Sequence, residues 1–414
     1  MNRYDSEILI VGGGAAGMSA ALAASSENGP SVTIIDDNPR LGGQIWRAEL
    51  GKTKSQKAMK LIDAIEHGRI NIVSNAQVFG QCGDRCLAVE TRDRRVEFNY
   101  EKLIIATGSR ERFLPFPGWT LPNVFGAGGL QTLVKGGLSV ESKKIVVAGT
   151  GPLLLAVADY LRSKGGKIVA IAEQASAAKI RRFAIGLGRT PSKISQAAGL
   201  RARLFGIPYL KDCWVTEGGG GDKLRSVTLM RNGKHSTVDC DLLACGFHLV
   251  PNVELASLLR CRVENGFVAV DKFQQTSVEN IYCAGEPTGI GGVESSLIEG
   301  EIAGHAAAGN TVKSEELFRR GARIQRFSTS LSNAFALREE LRSLAKDATI
   351  VCRCEDVVFG SLKRYDSWRQ VKLQTRCGMG ACQGRVCGSA AEFLFGWNVD
   401  APRPPIFPVR MENL

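Results

Sequence analysis

The stretch EILIVGGGAAGMSAALAAS at residues 7–25 decides the fold of the N-terminal part of the chain. Its apolar start predicts a short buried strand, its glycines follow the pattern Gly12-x-Gly14-x-x-Gly17, and its alanine-rich end predicts a helix. A second apolar strand, SVTIID, ends at Asp36, nineteen residues beyond Gly17. Glycines let the backbone approach a pyrophosphate, the helix N-terminus stabilises its charge, and the acid accepts the ribose hydroxyls. The stretch therefore predicts a Rossmann-type dinucleotide site.

Later segments indicate that this dinucleotide is FAD. The glycine pair in DNPRLGGQIW fits a backbone close to a flavin, and both LIIATG at 103–108 and IYCAGE at 281–286 are strands that end in short turns. These segments resemble the flavoproteins with two dinucleotide domains, the fold of thioredoxin and glutathione reductases. The resemblance implies that Glu286, where the usual residue is Asp, lies near the ribityl chain or the pyrophosphate. The glycines of GIGGVESSLIEG suit the pyrimidine edge of a flavin. The predicted FAD contacts are Gly12, Gly14, Ala15, Ala16, Gly17, Asp36, Asp37, Gly43, Gln44, Ala106, Thr107, Gly108, Gly285, Glu286, Gly292 and Val293.

A second dinucleotide fold is predicted where KKIVVAGTG at 143–151 runs into a helix and then into the strand KIVAIAE, which ends at Glu173. Leu154 replaces the third glycine, and its side chain should push helix and strand apart. Glu173 suits an adenosine ribose and would repel a 2′-phosphate. Three interpretations stay open: a working NAD(H), a structural adenine nucleotide such as ATP, and a vacant fold. The predicted contacts are Gly149, Gly151, Pro152, Leu153 and Glu173.

The cysteines outside the C-terminal region do not form the redox pair of a disulfide reductase. The glycine pair of the first site is followed by QIWRAEL, and the second domain holds only isolated cysteines. Cys82 and Cys86 fit neither known spacing, and we expect them to be ordinary packing residues. Disulfide reductase activity is therefore disfavoured.

Five of the twelve cysteines lie in VCRCEDV at 351–357 and TRCGMGACQGRVC at 375–387. The predicted metal ligands are Cys352, Cys354, Cys382 and Cys387. A glycine-rich loop can donate backbone N–H groups to cluster sulfurs, which favours a [2Fe–2S] cluster, while zinc and a metal-free region stay open. The region resembles the bacterioferritin-associated-ferredoxin type of [2Fe–2S] domain. That resemblance implies that Cys377 occupies a non-ligand position.

Three further runs, at 109–133, 245–256 and 285–304, resemble the FAD-containing subunit of heteromeric amine dehydrogenases. That group includes opine oxidases, hydrogen cyanide synthase, and dye-linked proline and D-hydroxyproline dehydrogenases. The resemblance implies a partner flavoprotein subunit that oxidises a C–N bond, with or without a small third subunit. Electrons would reach the cluster and FAD of this chain, in some members through an interface FMN, and leave to a quinone or the respiratory chain. It assigns no catalytic residue to this chain.

Composition is consistent with a soluble protein of a reducing compartment. The first residues lead directly into an apolar strand, no apolar run approaches the length of a membrane span, and clustered cysteines favour a reducing compartment. We therefore expect a cytoplasmic location, with membrane association only through partners. The net charge of +12 is accompanied by no nucleic-acid-binding motif. The alternatives are a self-sufficient NAD(P)H-dependent flavin and iron–sulfur reductase and, less favoured, a binding protein with a zinc-filled C-terminus.

The predicted fold class is α/β, with a second Rossmann-like domain inserted in the first and a small ferredoxin-like domain at the C-terminus. The predicted ranges are the FAD domain at 1–112 and 246–310, the second nucleotide domain at 113–245, a helical connector at 311–346, the cluster domain at 347–395, and a tail at 396–414. We expect the proline-rich tail to dock on a partner.

Overall fold

A computed structural model describes residues 2–26, 29–46, 55–186, 191–398 and 402–414, except the side chains of 191–193. The chain forms two compact units. Unit 1 comprises residues 1–110, 250–329 and 401–414, and unit 2 comprises residues 111–249 and 330–400. Among the described helices, none combines the length and the apolar character that a bilayer crossing requires.

The strands have the following bounds in chain order: β1 Asn2–Val11, β2 Val32–Asp36, β3 Ile70–Ser74, β4 Gln77–Gly83, β5 Cys86–Glu90, β6 Arg95–Ile105, β7 Ser109–Glu111, β8 Val124–Gly126, β9 Lys144–Gly149, β10 Lys167–Glu173, β11 Tyr209–Lys211, β12 Cys213–Gly219, β13 Ser226–Arg231, β14 Lys234–Asp239, β15 Leu242–Gly246, β16 Leu249–Pro251, β17 Val263–Glu264, β18 Phe267–Val268, β19 Ile281–Cys283, β20 Ile350–Cys352 and β21 Val357–Val358.

The helices have the following bounds: α1 Ala15–Ala24, α2 Gly43–Trp46, α3 Gln56–Glu66, α4 Ala127–Lys135, α5 Leu153–Ser163, α6 Ala177–Gly186, α7 Pro191–Arg203, α8 Glu254–Leu258, α9 Gly292–Ala307, α10 Thr311–Ala334, α11 Phe359–Leu362, α12 Trp368–Thr375 and α13 Cys387–Phe395. Short 3-10 helices span Glu339–Ser343 and Met411–Asn413.

Unit 1 is built on a seven-stranded sheet with the order β3-β2-β1-β6-β5-β4, and β19 lies beside the last residues of β6. Strands β1, β2, β3, β6 and β19 are parallel, whereas β4 and β5 add an antiparallel edge. Alternate residues of β1 enter different core clusters, with Ile8 and Ile10 in one and Leu9 and Val11 in the other. Both faces of β1 are therefore covered, which explains why the strand is apolar at successive positions.

A glycine seam joins α1 to α9 in unit 1. A Cβ atom at Gly300 would lie 2.2 Å from the carbonyl oxygen of Ala16, and one at Gly304 would lie 2.2 Å from that of Ala20. The Ser19 hydroxyl also donates to the carbonyl oxygen of Leu297 at 2.7 Å. The two helices therefore touch through their backbones, and α9 fixes the helix that follows the first glycine loop.

Unit 2 contains a parallel five-stranded sheet with the order β11-β10-β9-β15-β8 and an antiparallel sheet with the order β12-β13-β14. Its C-terminal part has a separate small core, in which Val351, Leu362, Trp368, Val371 and Ala391 are buried. This core supports the β20–β21 pair and the helices α11 to α13.

We expected the C-terminal tail to dock on a partner. Its described residues from 402 onward pack within unit 1. The Ile406 amide donates to the carbonyl oxygen of Phe79 in β4 at 2.7 Å, and Ile406 is buried. Arg410 forms an ion pair with Glu90 at 3.1 Å, and Nδ2 of Asn413 donates to the same carboxylate at 2.7 Å. The described tail therefore covers the antiparallel edge of the sheet of its own chain.

The prediction that Cys82 and Cys86 are ordinary packing residues was wrong, because a disulfide joins them with a Cα–Cα distance of 5.3 Å. The chain reverses between β4 and β5, and Gly83 pairs with Cys86 in the ladder. This reversal brings together two thiols that sequence spacing alone did not identify as a pair.

Candidate cofactor sites

The first glycine loop of unit 1 has no room for a side chain at Gly12 or Gly17. Gly12 has a φ of +111°, and a Cβ atom there would lie 2.2 Å from the carbonyl oxygen of Ala106. A Cβ atom at Gly17 would lie 1.8 Å from the carbonyl oxygen of Gly12. The turn, the helix α1 and the end of β6 are therefore in backbone contact, as a pyrophosphate loop requires.

The acid at the end of β2 lies against this loop. The Gly13 amide donates to Oδ2 of Asp36 at 2.5 Å, and the Asn38 amide donates to Oδ1 at 2.8 Å. Asp36 is buried, whereas Asp37 is exposed and contacts the Asn38 side chain. The Asp36 carboxylate is therefore held in the position from which it could accept ribose hydroxyls.

The segment around the glycine pair also reaches the loop. The Gly42 amide donates to the carbonyl oxygen of Gly13 at 2.8 Å. Gly43 has a φ of +56°, and a Cβ atom there would lie 3.0 Å from the Cα atom of Gly14. Gln44 is exposed. Residues 42–44 thus form a second wall beside the glycine loop.

The turn after β6 and the turn after β19 contribute the remaining predicted contacts. The Ala106 amide donates to the carbonyl oxygen of Val11 at 2.8 Å, and the Thr107 hydroxyl donates to that of Asn252 at 2.7 Å. The Ser109 hydroxyl donates to Glu286, and burial raises the pKa of this carboxyl. The turns therefore bring a second carboxyl group to the edge of the sheet where β1 ends.

Glu299 was missed by the sequence analysis. Its carboxylate accepts hydrogen bonds from the Gly285 amide at 2.9 Å, the Thr288 hydroxyl at 3.0 Å and the Ser295 hydroxyl at 2.7 Å. Burial raises the pKa of Glu299, and the nearby charge of Glu286 acts in the same direction. Glu299 lies in the middle of α9 and accepts hydrogen bonds from the turn that carries Glu286. The available signal was an acid two turns after the glycine-rich start of a helix.

The start of α9 leaves space beside this turn. Gly292 has a φ of +72°, and a Cβ atom there would meet nothing within 4 Å. Val293 is partly buried and packs on the core of unit 1. The predicted contacts of the first site thus come from six short segments of unit 1 and meet at the carboxyl edge of its parallel sheet. A glycine loop, a hydrogen-bonded carboxylate at Asp36 and the N-terminus of α1 together fit FAD.

The second glycine loop, in unit 2, has the same spacing and a similarly tight first glycine. Gly149 has a φ of +134°, and a Cβ atom there would lie 1.9 Å from the carbonyl oxygen of Gly246. Leu154 is fully buried at the third-glycine position, and α5 begins at Leu153, after Pro152. Pro152 and Leu153 are exposed, whereas Gly149 and Gly151 are buried.

Glu173, the acid of the second loop, is buried and accepts hydrogen bonds from neighbouring residues. Glu173 is 0% exposed. Its Oε2 accepts from the Gly151 amide at 2.7 Å, and its Oε1 accepts from the Ala175 amide at 2.8 Å and from the Thr150 hydroxyl at 3.1 Å. Burial raises the pKa of Glu173 to about 7. Both carboxylate oxygens of Glu173 therefore accept hydrogen bonds within the protein, as both oxygens of Asp36 do in unit 1.

The C-terminal cysteines of unit 2 come together. The Sγ atoms of Cys352, Cys377 and Cys387, all buried, lie within 4.8 Å of one another. Cys382 is partly buried, and its thiol contacts those of Cys387 and Cys354. Hydrogen bonds from Cys377 and Cys387 lower the pKa of Cys352, and one from Cys387 lowers that of Cys382 to about 5. The four predicted ligands are contiguous, and Cys377 lies among them, although its predicted position was a non-ligand one.

Glycines in the loop 378–384 make this arrangement possible. A Cβ atom at Gly380 would lie 2.2 Å from Cβ of Cys354, and one at Gly378 would lie 2.5 Å from the Trp368 ring. The backbone of Gly378 donates to the Cys352 sulfur, and that of Gly384 donates to the Cys382 sulfur. Several thiols surrounded by backbone N–H groups fit an iron–sulfur cluster.

The model of the pyridine nucleotide-disulphide oxidoreductase family matches residues 6–308. The chain belongs to this family. It is 31% identical to the hydrogen cyanide synthase subunit HcnB of Pseudomonas aeruginosa, over 97% of this chain and 96% of that protein. It is 26% identical to an opine oxidase subunit of Rhizobium meliloti, over 99% of this chain and 87% of that protein.

Solved structures support the same fold. The L-proline dehydrogenase from P. horikoshii matches with a TM-score of 0.71 and 19% identity, over 100% of this chain and 80% of that chain. The thioredoxin reductase of T. acidophilum matches with a TM-score of 0.58 and 23% identity, over 74% of this chain and 99% of that chain. The predicted fold class and the predicted resemblance are confirmed. The oxidoreductase is an FAD-dependent member of its family, and its cysteines are compatible with a small iron–sulfur domain.

Proposed function

We propose that this oxidoreductase is the electron-transfer subunit of a heteromeric dehydrogenase that oxidises an amine or imino acid at a C–N bond. A partner flavoprotein subunit would take the electrons from the substrate, and this chain would pass them to a quinone or another respiratory acceptor. The observation that carries the proposal is the cage of five thiols in a chain that also has an FAD loop. The similarity to HcnB and to the opine oxidase protein, both of them subunits by name, supports it.

The two candidate cofactors have complementary chemistry. FAD would accept an electron pair, and a [2Fe–2S] cluster would carry one electron at a time. The glycine loop at 12–17 would bind the pyrophosphate, and Asp36 would bind the ribose. The buried Glu286 and Glu299 would fix the turn beside the flavin. Cys352, Cys382 and Cys387, with Cys354 or Cys377, would hold the cluster in a loop that supplies N–H groups to its sulfurs.

The contacts of His67 and His248 favour a role in relay over a role in proton abstraction. His67 is exposed, and its Nδ1 contacts the carbonyl oxygen of Asp63 at 2.8 Å on its own helix. His248 contacts the carbonyl oxygen of Phe335 through Nε2 at 2.7 Å. Among the described residues, neither contact pairs an imidazole with a carboxylate, so we assign the C–H chemistry to the partner. The substrate, an interface FMN, the acceptor and the cytoplasmic location stay predictions.

Anaerobic flavin reduction separates this proposal from the NAD(P)H-dependent reductase. The purified chain should keep an oxidised flavin spectrum with NADH or NADPH. It should be reduced by an amine substrate only when the partner subunit is co-purified. Rapid bleaching of the flavin by NADH alone would favour the reductase and contradict the relay.

A further inference from the structure

The end of α10 and the loop that follows it, residues 331–338, lie on the second dinucleotide fold of unit 2. We call this segment the strap. Ala334 and Phe335 are buried against Ala175, the second residue after the acid Glu173. The rings of Phe335 and Phe183 meet edge to face, with centroids 5.6 Å apart. The apolar side of the strap is therefore anchored on the segment that follows β10.

One carbonyl group of the strap sits among polar side chains of the nucleotide fold. The carbonyl oxygen of Phe335 lies 3.0 Å from the Thr150 hydroxyl, 3.3 Å from Nε2 of Gln174 and 2.7 Å from Nε2 of His248. Thr150 is the middle residue of the glycine loop, and Gln174 directly follows Glu173. A carbonyl oxygen of the strap thus lies within hydrogen-bond distance of three polar side chains beside the glycine loop.

The C-terminal end of the strap also forms hydrogen bonds with the residue that follows β10. The Arg338 amide donates to Oε1 of Gln174 at 3.2 Å, and its Nη1 donates to the Gln174 carbonyl oxygen at 3.2 Å. The guanidinium group lies 4.0 Å from the centroid of the Trp214 ring and 3.8 Å from Oδ1 of Asp212. Apolar anchors, a central carbonyl and a terminal arginine therefore hold the strap along its whole length.

Beneath the strap, the acid has the same kind of internal contact with the glycine loop as in the first site. The Gly151 amide donates to Glu173 at 2.7 Å, as the Gly13 amide donates to Asp36 at 2.5 Å in unit 1. Leu154 differs, because it fills the position where the third glycine would allow close helix packing. The strap and Leu154 are therefore the features that set the second site apart from the first.

We propose that the strap fills the second dinucleotide site, so that neither adenine nucleotides nor NAD(H) bind there in the resting protein. The glycine motif of unit 2 then serves as a docking site for the protein's own chain. Electrons would then have to reach the flavin from a protein donor, because NAD(H) could not bind to unit 2. The inference does not depend on the proposed substrate or on the cluster, since it concerns only nucleotide binding to unit 2.

The test is calorimetric titration of the FAD-loaded, full-length protein with ADP and, separately, with NADH. The wild-type protein should show no saturable binding, with Kd weaker than about 1 mM. Phe335→Ala, which removes the buried anchor, should bind ADP at least about tenfold more tightly. Phe318→Ala is the matched control, because Phe318 lies in α10 before the strap and packs on Phe273; it should behave like the wild type.

Two outcomes would overturn the proposal. One is saturable ADP binding by the wild type with the same affinity as Phe335→Ala. The other is a folded Phe335→Ala that gains no binding, because the strap would then not be what excludes the nucleotide. If Phe335→Ala fails to fold, hydrogen exchange on the wild type decides the question. The amides of 334–338 should be protected and unaffected by saturating ADP or NADH, and a nucleotide-dependent change there would contradict the proposal.

Discussion

The two dinucleotide folds of this chain share a spacing and differ in what covers their loops. Twenty-four positions separate Gly12 from Asp36 in unit 1, and the same number separate Gly149 from Glu173 in unit 2. In unit 1 the start of α9 at Gly292 leaves open space. In unit 2 the strap at 331–338 lies over the equivalent loop and engages its polar groups. The comparison teaches that a glycine motif specifies a backbone shape, whereas the surrounding chain decides whether a ligand can reach it.

The largest expected effect is at the third glycine of unit 1. Gly17→Val should abolish FAD binding and destabilise the protein by more than about 4 kcal/mol, because its Cβ would lie 1.8 Å from the carbonyl oxygen of Gly12. Flavin absorbance of the purified protein and its thermal unfolding measure both effects. Gly186→Ala is the control, since a Cβ there meets nothing within 4 Å. A flavin-loaded Gly17→Val protein would show that the close helix approach is not needed.

The cysteine cage gives the next largest effect. Cys387→Ser should remove the iron, because this sulfur contacts those of Cys352, Cys377 and Cys382. FAD should stay bound, since the first site lies in unit 1. Cys240→Ser, at a buried cysteine of unit 2 outside the cage, is the matched control and should keep its iron.

Two further substitutions in the cage distinguish its ligand sets. If the predicted ligands are right, Cys354→Ser loses the cluster and Cys377→Ser keeps it. The reverse result would show that Cys377, and not Cys354, is the fourth ligand beside Cys352, Cys382 and Cys387. Iron content and the electron paramagnetic resonance spectrum of the reduced protein measure both variants.

The next largest effect is expected for the stability of unit 1, at the glycine seam between α1 and α9. Gly304→Val is expected to cost about 3 kcal/mol, because its Cβ would lie 2.2 Å from the Ala20 carbonyl oxygen and α9 would be forced from α1. Gly321→Ala in α10 is the control, since its nearest contact would be an ordinary 3.7 Å. Denaturant unfolding compares the two variants, and equal stabilities would exclude a tight seam.

The smallest expected effect is a pH dependence in unit 2. Burial raises the pKa of Glu173 to about 7 from its ordinary value of 4.5. Between these values the folded protein binds more protons than the unfolded chain, so the free energy of unfolding falls as pH rises, by at most about 1.4 kcal/mol per pH unit. Glu173→Gln should flatten this slope. Urea unfolding of both proteins at several pH values measures it, and identical slopes would contradict the assignment.

The glycine loops and their acids were predictable because each is encoded within a continuous stretch of sequence. A strand, a turn and a helix follow one another directly from residue 7 to residue 25, and parallel strands end at a common edge. The strap was not predictable, since Thr150 and the Phe335 carbonyl group are 185 residues apart. Glu299 and the contact of the tail with β4 were missed for the same reason. Burial and long-range partners decide their roles, and local patterns carry neither.

The cysteines show a second limit of prediction from sequence, because spacing does not determine which thiols lie together. Spacing identified the C-terminal region as a cage, and glycine contacts explain its loop. Spacing did not show that Cys377 lies beside Cys352 or that Cys82 and Cys86 form a disulfide. The disulfide depends on the reversal of the chain between β4 and β5, whereas the contact of Cys377 with Cys352 depends on packing such as that of Gly378 on Trp368.

Cofactor stoichiometry tests the central claim most directly. Anaerobically purified protein would be acid-extracted, and its FAD, other adenine nucleotides, iron and labile sulfide would be measured per chain. The account predicts one FAD, two irons, two sulfides and no second nucleotide, since unit 1 is open to a dinucleotide and unit 2 is closed by its strap but holds the thiol cage. A second nucleotide per chain would contradict the strap, and FAD without iron, especially with zinc present, would contradict the electron relay.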